Sequence, residues 1–196
     1  GFDTNTTNAF RFTVSNSSLP SGNVNDIAID REGLIWFATD LGIAYLPYSY
    51  DVGNNPTDLI VPNQFNNQRI LAIEVDGGNR KWVATSDGVR LMDMFLDEEL
   101  LYFNAENSPL PTNEVSDIAI HPKNGMVFFT TENGIVSFRS DATEATHKYS
   151  DVKVFPNPVT RDFEGWVGIE GLAYNSNVRI TTVSGRLVKE IHGNGG

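Results

Sequence analysis

Cysteine is absent from the 196-residue chain, and its absence removes three kinds of chemistry at once. Disulfide frameworks, thiolate zinc sites and cysteine nucleophiles all need the thiol group. Lysine and arginine are also scarce, at 14 against 25 aspartates and glutamates, so the formal net charge is −11. A nucleic-acid-binding surface needs clustered basic side chains, and the few present here are scattered. The composition therefore argues against a nucleic-acid partner.

Long apolar runs are missing as well. None approaches the ~20 residues that a membrane helix requires, so we expect a chain that does not span a membrane. It begins with Gly1 and shows no signal-peptide pattern, which we interpret as a cut from a longer protein. Asn, Thr, Ser and Gly are abundant and helix-favouring runs are nearly absent. This profile is typical of an all-β protein with many turns.

The strongest feature that is present is a threefold internal repeat. Each copy opens with an apolar stretch (24–30, 70–76 and 115–121) and continues with an aromatic residue and then a glycine. The aromatic residues are Trp36, Trp82 and Phe128, the glycines are Gly42, Gly88 and Gly134, and successive members of each set are 46 residues apart. The third copy carries one extra residue, which we place in the turn 121–125 because insertions cost least in turns.

Each copy has the pattern strand, turn, strand, turn, strand. Apolar residues alternate in 27–29 and 73–75, as in a half-buried strand, and the repeated glycine supplies the positive φ of the second turn. Tyr102–Phe103 and Lys148–Tyr149 fit a fourth, outer strand. About 45 residues with four short strands is the size of a propeller blade. The sequence predicts a partial β-propeller of three four-stranded blades over residues 1–149.

Three features of the repeat allow two interpretations each. The aromatic position could line a ligand surface, but one bulky residue at a fixed place in each blade favours packing between blades. Asp30 and Asp76 are interpreted as turn formers, because the third copy has His121 there and a shared metal site would not tolerate that exchange. The acidic run 97–99 is interpreted as a solvated loop rather than a docking site.

After Tyr149 the repeat stops. Residues 151–159 predict a strand ended by Pro156 and Pro158, and 166–169 predict a second strand. Residues 178–183 and 186–191 flank Ser184–Gly185, which is a hairpin signal. We expect residues 150–196 to form the start of a small, truncated, Ig-like β-sandwich module.

Sequence patterns for catalysis or metal binding are not found. His121, His147 and His192 have no His or Cys at metal-ligand spacing, and residues 76–79 lack the alternating acidic ligands of a calcium loop. No nucleophile elbow or phosphate loop is present. We therefore expect a protein that is not an enzyme, with no catalytic residues, no metal site and no cofactor. The sequence does not identify its ligand-binding residues.

Residues 19–43, LPSGNVNDIAIDREGLIWFATDLGI, resemble the two-component-regulator propeller repeat. The lead Asn-Ser-x-Leu-Pro occurs at 16–20 and again at 107–111, whereas the second copy has Asn66-Asn67-Gln68 instead. The sialidase Asp-box also joins Asp, Gly and Trp, but its Asp-to-Trp spacing is one residue shorter, so a glycosidase is rejected. Phe155-Pro156-Asn157-Pro158, followed by Ser184-Gly185-Arg186-Leu187-Val188, resembles the C-terminal β-sandwich domain of the type IX secretion system of Bacteroidetes.

Blades followed by such a module are similar to cell-surface accessory components of that system. The resemblance implies a non-catalytic binding and assembly role outside the cytoplasm, in the complex that processes cargo and joins it to anionic lipopolysaccharide. Its implied partners are other secretion-machinery proteins and lipopolysaccharide or glycan. Two alternatives stay open: a periplasmic ligand-sensing propeller of a hybrid two-component system, and a secreted enzyme or adhesin with a sorting tail.

The blade count raises a further expectation. Propellers of this kind have about six to eight blades, and three blades cannot close a ring. Either further blades lie elsewhere in a longer protein, or copies of the chain self-associate through open propeller edges.

Overall fold

The computed structural model describes residues 11–47, 59–144, 152–165, 167–173 and 176–193. The first repeat forms a sheet of β1 (Val24–Ile29), β2 (Ile35–Thr39) and β3 (Gly42–Leu46). A short 3₁₀ turn at Asn63–Phe65 leads into the second sheet, which contains β4 (Ile70–Val75), β5 (Lys81–Thr85), β6 (Gly88–Met92) and β7 (Glu99–Phe103). The third sheet contains β8 (Asp117–Ile120), β9 (Met126–Thr131) and β10 (Gly134–Arg139).

These sheets confirm the all-β class and the propeller-blade pattern. The second blade has the four expected strands, with Tyr102 and Phe103 in its outer strand. Among the described residues of the first blade, the fourth position shows one β-bridge between Tyr45 and Ile60, and the sheet contains three strands. The third sheet has three strands in the described residues, and the predicted strand at Lys148–Tyr149 lies outside them.

The hairpin between the second and third strands has the same construction in every blade. Gly42, Gly88 and Gly134 have φ values of 133°, 136° and 130°, which side chains rarely adopt. A threonine three residues earlier donates its hydroxyl to the carbonyl of the glycine. These threonines are Thr39, Thr85 and Thr131, at Oγ1–O distances of 2.7, 3.1 and 3.1 Å.

The turn between the first and second strands uses an asparagine in the second blade, where the other two blades have a glycine. Asn79 (φ 62°) holds the repeat position of Gly33 (81°) and Gly125 (67°), and the adjacent Gly78 has no positive φ. Asparagine tolerates this left-handed conformation better than most residues. The extra residue of the third blade lies in the turn that Gly125 closes by donating its N–H to the carbonyl of His121, as predicted.

An apolar core lies between the first two blades, where β4 packs against β1 and β2. Its buried members are Ala28, Trp36, Ala38 and Ile43 from the first blade and Phe65, Ile70, Ile73, Val83, Met92 and Leu96 from the second. A separate cluster of Leu19, Ala44, Leu46 and Leu59 covers the other side of the first blade. Leu19, Phe65 and Leu110 hold one repeat position, just before each blade, and all three are buried.

The described residues group into two compact units. The first takes the first two blades and most of the third, and the second takes the residues from Phe138 onward with the two turns 76–79 and 120–127. The domain boundary expected between 149 and 150 stays a prediction. No helix in the described ranges has the length and apolar character needed to cross a membrane.

The C-terminal segment contains two strand pairs. β11 (Lys153–Phe155) pairs antiparallel with β12 (Gly168–Glu170), and β13 (Ser176–Thr181) pairs antiparallel with β14 (Leu187–Gly193). Both pairs follow the predicted strands, although Trp166 lies outside the described residues. Most of their apolar side chains are exposed, including Phe155, Ile180 and Val188, so the described residues of this segment do not enclose a large core.

Candidate interaction surfaces

Asp30 ends the first strand of the first blade and its carboxylate accepts hydrogen bonds from four donors. Oδ1 accepts the N–H groups of Glu32 and Leu34, both at 3.0 Å, and this forms the turn that the sequence predicts. Oδ2 accepts Nε1 of Trp36 at 2.9 Å and Nζ of Lys81 at 3.0 Å. The carboxylate therefore joins the turn and β2 of its own blade to β5 of the next.

Lys81 completes this buried group. Its side chain is fully buried, Nζ donates to the carbonyl of Met94 at 2.7 Å, and the ammonium lies 4.8 Å from the ring centroid of Trp36. The group is closed to solvent and its hydrogen-bonding capacity is used internally. It therefore suits the joining of two blades rather than ligand binding or proton transfer.

Sequence reasoning missed Lys81, although a signal was available. The same repeat position holds Ile35 in the first blade and Val127 in the third. A single lysine at an apolar repeat position indicates a buried charge, which requires a partner. The repeated Asp that ends the first strand of the preceding blade supplies it.

The aromatic position packs between blades, as the sequence favours, in two of the three copies. Trp36 and Trp82 are fully buried. Trp82 lies 5.4 Å from Phe129 of the third blade and 6.2 Å from Phe103 of its own blade, between ring centroids. Phe128, the third member of the set, is exposed over 37% of its surface.

The carboxyl group of Glu74, in the first strand of the second blade, lies in the field of carboxylates from the first strands of the other two blades. The Oδ2 atom of Asp26 accepts the N–H of Ile73 in the next blade at 2.9 Å. Burial, and to a smaller extent the negative charges of Asp26 and Asp117, together raise the pKa of Glu74 from 4.5 to about 7. The described residues contain no group of three His, Cys, Asp or Glu that could hold a metal ion.

A polar link at the surface accompanies the apolar core between the first two blades. The amide of Asn25 donates to the carbonyl of Ile70 at 2.7 Å and to Asp40 at 2.9 Å, and Arg69 lies 3.2 Å from the same carboxylate. The hydrogen bond from Asn25, followed by that from Asn23, lowers the pKa of Asp40 below its ordinary value. The junction thus has an apolar interior and a polar rim.

The histidines do not come together in the described part of the chain. His121 lies in the turn after β8, where its backbone N–H donates to the carbonyl of Met126, and His192 is exposed in β14. His147 lies outside the described residues. The acidic run 97–99 is largely exposed before and at the start of β7, as expected of a solvated loop.

Repeated antiparallel sheets with shared turn chemistry define this chain as a protein of propeller blades. Residues 18–40 match the family model described as two component regulator propeller. PorZ of Porphyromonas gingivalis, described as an essential bacterial surface component of the type-IX secretion system, has a similar solved structure. The likeness covers 88% of this chain at 27% identity and a TM-score of 0.58.

Two extracellular domains from B. thetaiotaomicron are also similar. That of a putative hybrid two component system matches 62% of this chain and 16% of its own at 24% identity and a TM-score of 0.49. That of a putative one component system matches 85% of this chain and 25% of its own at 18% identity and a TM-score of 0.45. The chain spans a quarter (25%) of the PorZ chain. No curated protein matches it.

Proposed function

We propose that this chain is part of a non-catalytic, cell-surface binding and assembly component of the type IX secretion system. The likeness to PorZ carries this proposal, because it covers 88% of the chain. Residues 1–149 make up only about three quarters of the sequence, so the likeness extends beyond the repeats into the C-terminal segment. The order of blades followed by a strand that ends just before Pro156 and Pro158 supports the same assignment.

The buried charged pair between the first two blades agrees with a structural role and not with a catalytic one. Asp30 and Lys81 use their hydrogen bonds to hold the two blades together. A catalytic acid or base must reach a substrate proton, and this pair is sealed from solvent. We place the protein outside the cytoplasm, with other secretion-machinery proteins and lipopolysaccharide or glycan as partners.

Deletion of the parent gene tests this function. We expect cargo proteins to accumulate unprocessed in the periplasm, and the parent gene on a plasmid to restore their processing and surface attachment. A parent gene carrying Glu106→Gln, a change in an exposed loop, is the control and should restore secretion fully. Normal secretion in the deletion strain would reject the proposal.

A second candidate function is a ligand-sensing propeller of a hybrid two-component system. The match of residues 18–40 to the two component regulator propeller family favours it. In this case the parent gene would encode a membrane helix and a histidine kinase after the propeller. Its deletion would change transcription in response to a glycan and leave secretion intact, so the same strain distinguishes the two functions.

A further inference from the structure

Two Asn-Gly pairs lie in different turns of the third blade. Asn124–Gly125 is in the turn between β8 and β9, and Asn133–Gly134 is at the hairpin between β9 and β10. A third pair, Asn194–Gly195, lies outside the described residues. In such a pair the backbone nitrogen of glycine can attack the side-chain amide of asparagine, because glycine has no side chain to obstruct the approach. The two described pairs have the same sequence, so a difference in reactivity between them must come from their surroundings.

The pair Asn124–Gly125 is held on both sides of the atoms that would react. Gly125 is buried, and its backbone N–H donates to the carbonyl of His121 at 3.1 Å. The side-chain oxygen of Asn124 accepts the N–H of Met126 at 3.0 Å. A Cβ added at Gly125 would lie only 2.8 Å from the carbonyl oxygen of Ala142, so the chain also covers this turn. The turn must therefore open before the glycine nitrogen can reach the amide.

The pair Asn133–Gly134 is open by comparison. Both residues are exposed, and a Cβ added at Gly134 would have nothing within 4 Å. The backbone N–H of Asn133 donates to Oγ1 of Thr131 at 3.2 Å, but among the described residues no group hydrogen-bonds its side-chain amide. Gly134 is the first residue of β10, at the end of the strand pair, where strands open most easily.

Exposure of the hairpin tip does not depend on the place of the blade in the array. The second blade has a neighbour on each side, and it still exposes Ser86 and Asp87 at the tip of the same hairpin. Leu41, at the tip in the first blade, is 50% exposed. Further blades beside the third one would therefore leave Asn133 in contact with water. Asp87 also shows that the hairpin accepts a carboxylate at the position of Asn133.

We propose that Asn133 is a site of spontaneous deamidation and that the fold protects Asn124 from the same reaction. The nitrogen of Gly134 forms a bond to Cγ of Asn133, and the side-chain nitrogen leaves as ammonia with the proton from the Gly134 N–H. Water then opens the cyclic imide at either of its two carbonyl groups. One product is aspartate, and the other is isoaspartate, in which the main chain continues through the former side chain. This proposal is independent of the proposed function in secretion.

The two products have different consequences for the hairpin. Aspartate keeps the length of the main chain and reproduces the tip of the second blade, so we expect Asn133→Asp to fold normally. Isoaspartate adds one carbon atom to the main chain between the two atoms that Oγ1 of Thr131 bonds, the N–H of Asn133 and the carbonyl of Gly134. Formation of isoaspartate should therefore loosen the hairpin, which faster hydrogen exchange in β9 and β10 would report.

Peptide mapping by mass spectrometry tests the proposal on the 196-residue chain held at mildly alkaline pH, with an isoaspartyl methyltransferase to label isoaspartate. In the folded chain Asn133 should convert about tenfold faster than Asn124 or more, because Asn124–Gly125 must first lose two hydrogen bonds. In urea that unfolds the chain, the two asparagines should convert at similar rates, since only the sequence then acts on them.

Asn133→Gln is the matched control, because it keeps an amide at the tip but would have to form a larger and less favourable ring. The fast conversion should disappear in this variant, and the slow conversion of Asn124 should be unchanged. Similar rates at Asn133 and Asn124 in the folded chain, whether fast or slow, would overturn the proposal. A fast conversion that persists in Asn133→Gln would also overturn it, since the reacting residue would then lie elsewhere.

Discussion

Lys81 lies at a position where burying a charge costs free energy, because its ammonium group has no contact with bulk water. Asp30, Met94 and the ring of Trp36 replace that water. Removing one member of such a buried pair leaves the other charge uncompensated, which costs about 3–5 kcal/mol. We expect Lys81→Met to destabilise the chain by an amount in this range, measured by urea unfolding.

A double variant distinguishes the ion pair from packing. Asp30→Asn combined with Lys81→Met removes both charges, so we expect it to cost less than the sum of the two single changes. Strict additivity would mean that the two side chains stabilise the fold independently. Arg179→Met, which removes an exposed cation paired with Glu190, should change stability by less than about 1 kcal/mol.

Glu74 makes the stability of the chain depend on pH. Its pKa is raised to about 7 in the folded state and is 4.5 without these surroundings, so the folded chain holds a proton that the unfolded chain releases. This contribution to stability is present in full below pH 4.5 and is lost as the pH rises towards about 7 and beyond. Glu74→Gln should therefore stabilise the chain at pH 8, by on the order of 1 kcal/mol after allowance for solvent screening.

The control for Glu74 is another glutamate in an exposed loop. Because the net charge is −11, removing any carboxylate relieves some repulsion. Glu106→Gln measures this general effect, and thermal unfolding at pH 5 and at pH 8 compares the two variants. An equal gain from both variants at pH 8 would contradict the role given to burial of Glu74.

Among the elements, substitutions at two of the hairpin glycines distinguish the cost of backbone strain from the cost of a steric clash. Gly88 and Gly134 share nearly the same φ, but an added Cβ at Gly88 would clash with the carbonyl oxygen of Phe103, whereas nothing lies within 4 Å at Gly134. Gly134→Ala should cost about 1–3 kcal/mol from strain in its φ. Gly88→Ala should cost roughly 1–3 kcal/mol more, from overpacking. Equal losses in chemical denaturation would show that β7 can move away.

The repeat was predictable at the level of elements because its signals are local. The glycines fix the hairpins and the alternating residues fix the strands, so blade period and strand order follow from the sequence. That Asn79 and not the adjacent Gly78 has the positive φ did not follow, since both residues can adopt that conformation. The Asp30–Lys81 pair was missed for another reason: the two residues are 51 positions apart and meet only when blades stack.

For the whole molecule, the position of a blade in the array determines how much its side chains contribute to stability. A blade in a repeat array contacts its neighbours, so stability is approximately a sum of blade and junction contributions. Trp82 lies in a junction of the chain itself. Phe128 holds the same repeat position in the third blade, where the side chain is partly exposed. Residues at the same repeat position thus contribute different amounts to the free energy of unfolding.

Trp82→Ala and Phe128→Ala measure this difference directly. Truncation of the fully buried Trp82 should cost about 3–5 kcal/mol in denaturant unfolding. Phe128→Ala should cost well under half as much, because the side chain is partly in water. An unchanged stability of Trp82→Ala would contradict the blade junction, and equal losses from the two variants would contradict the difference in burial between them.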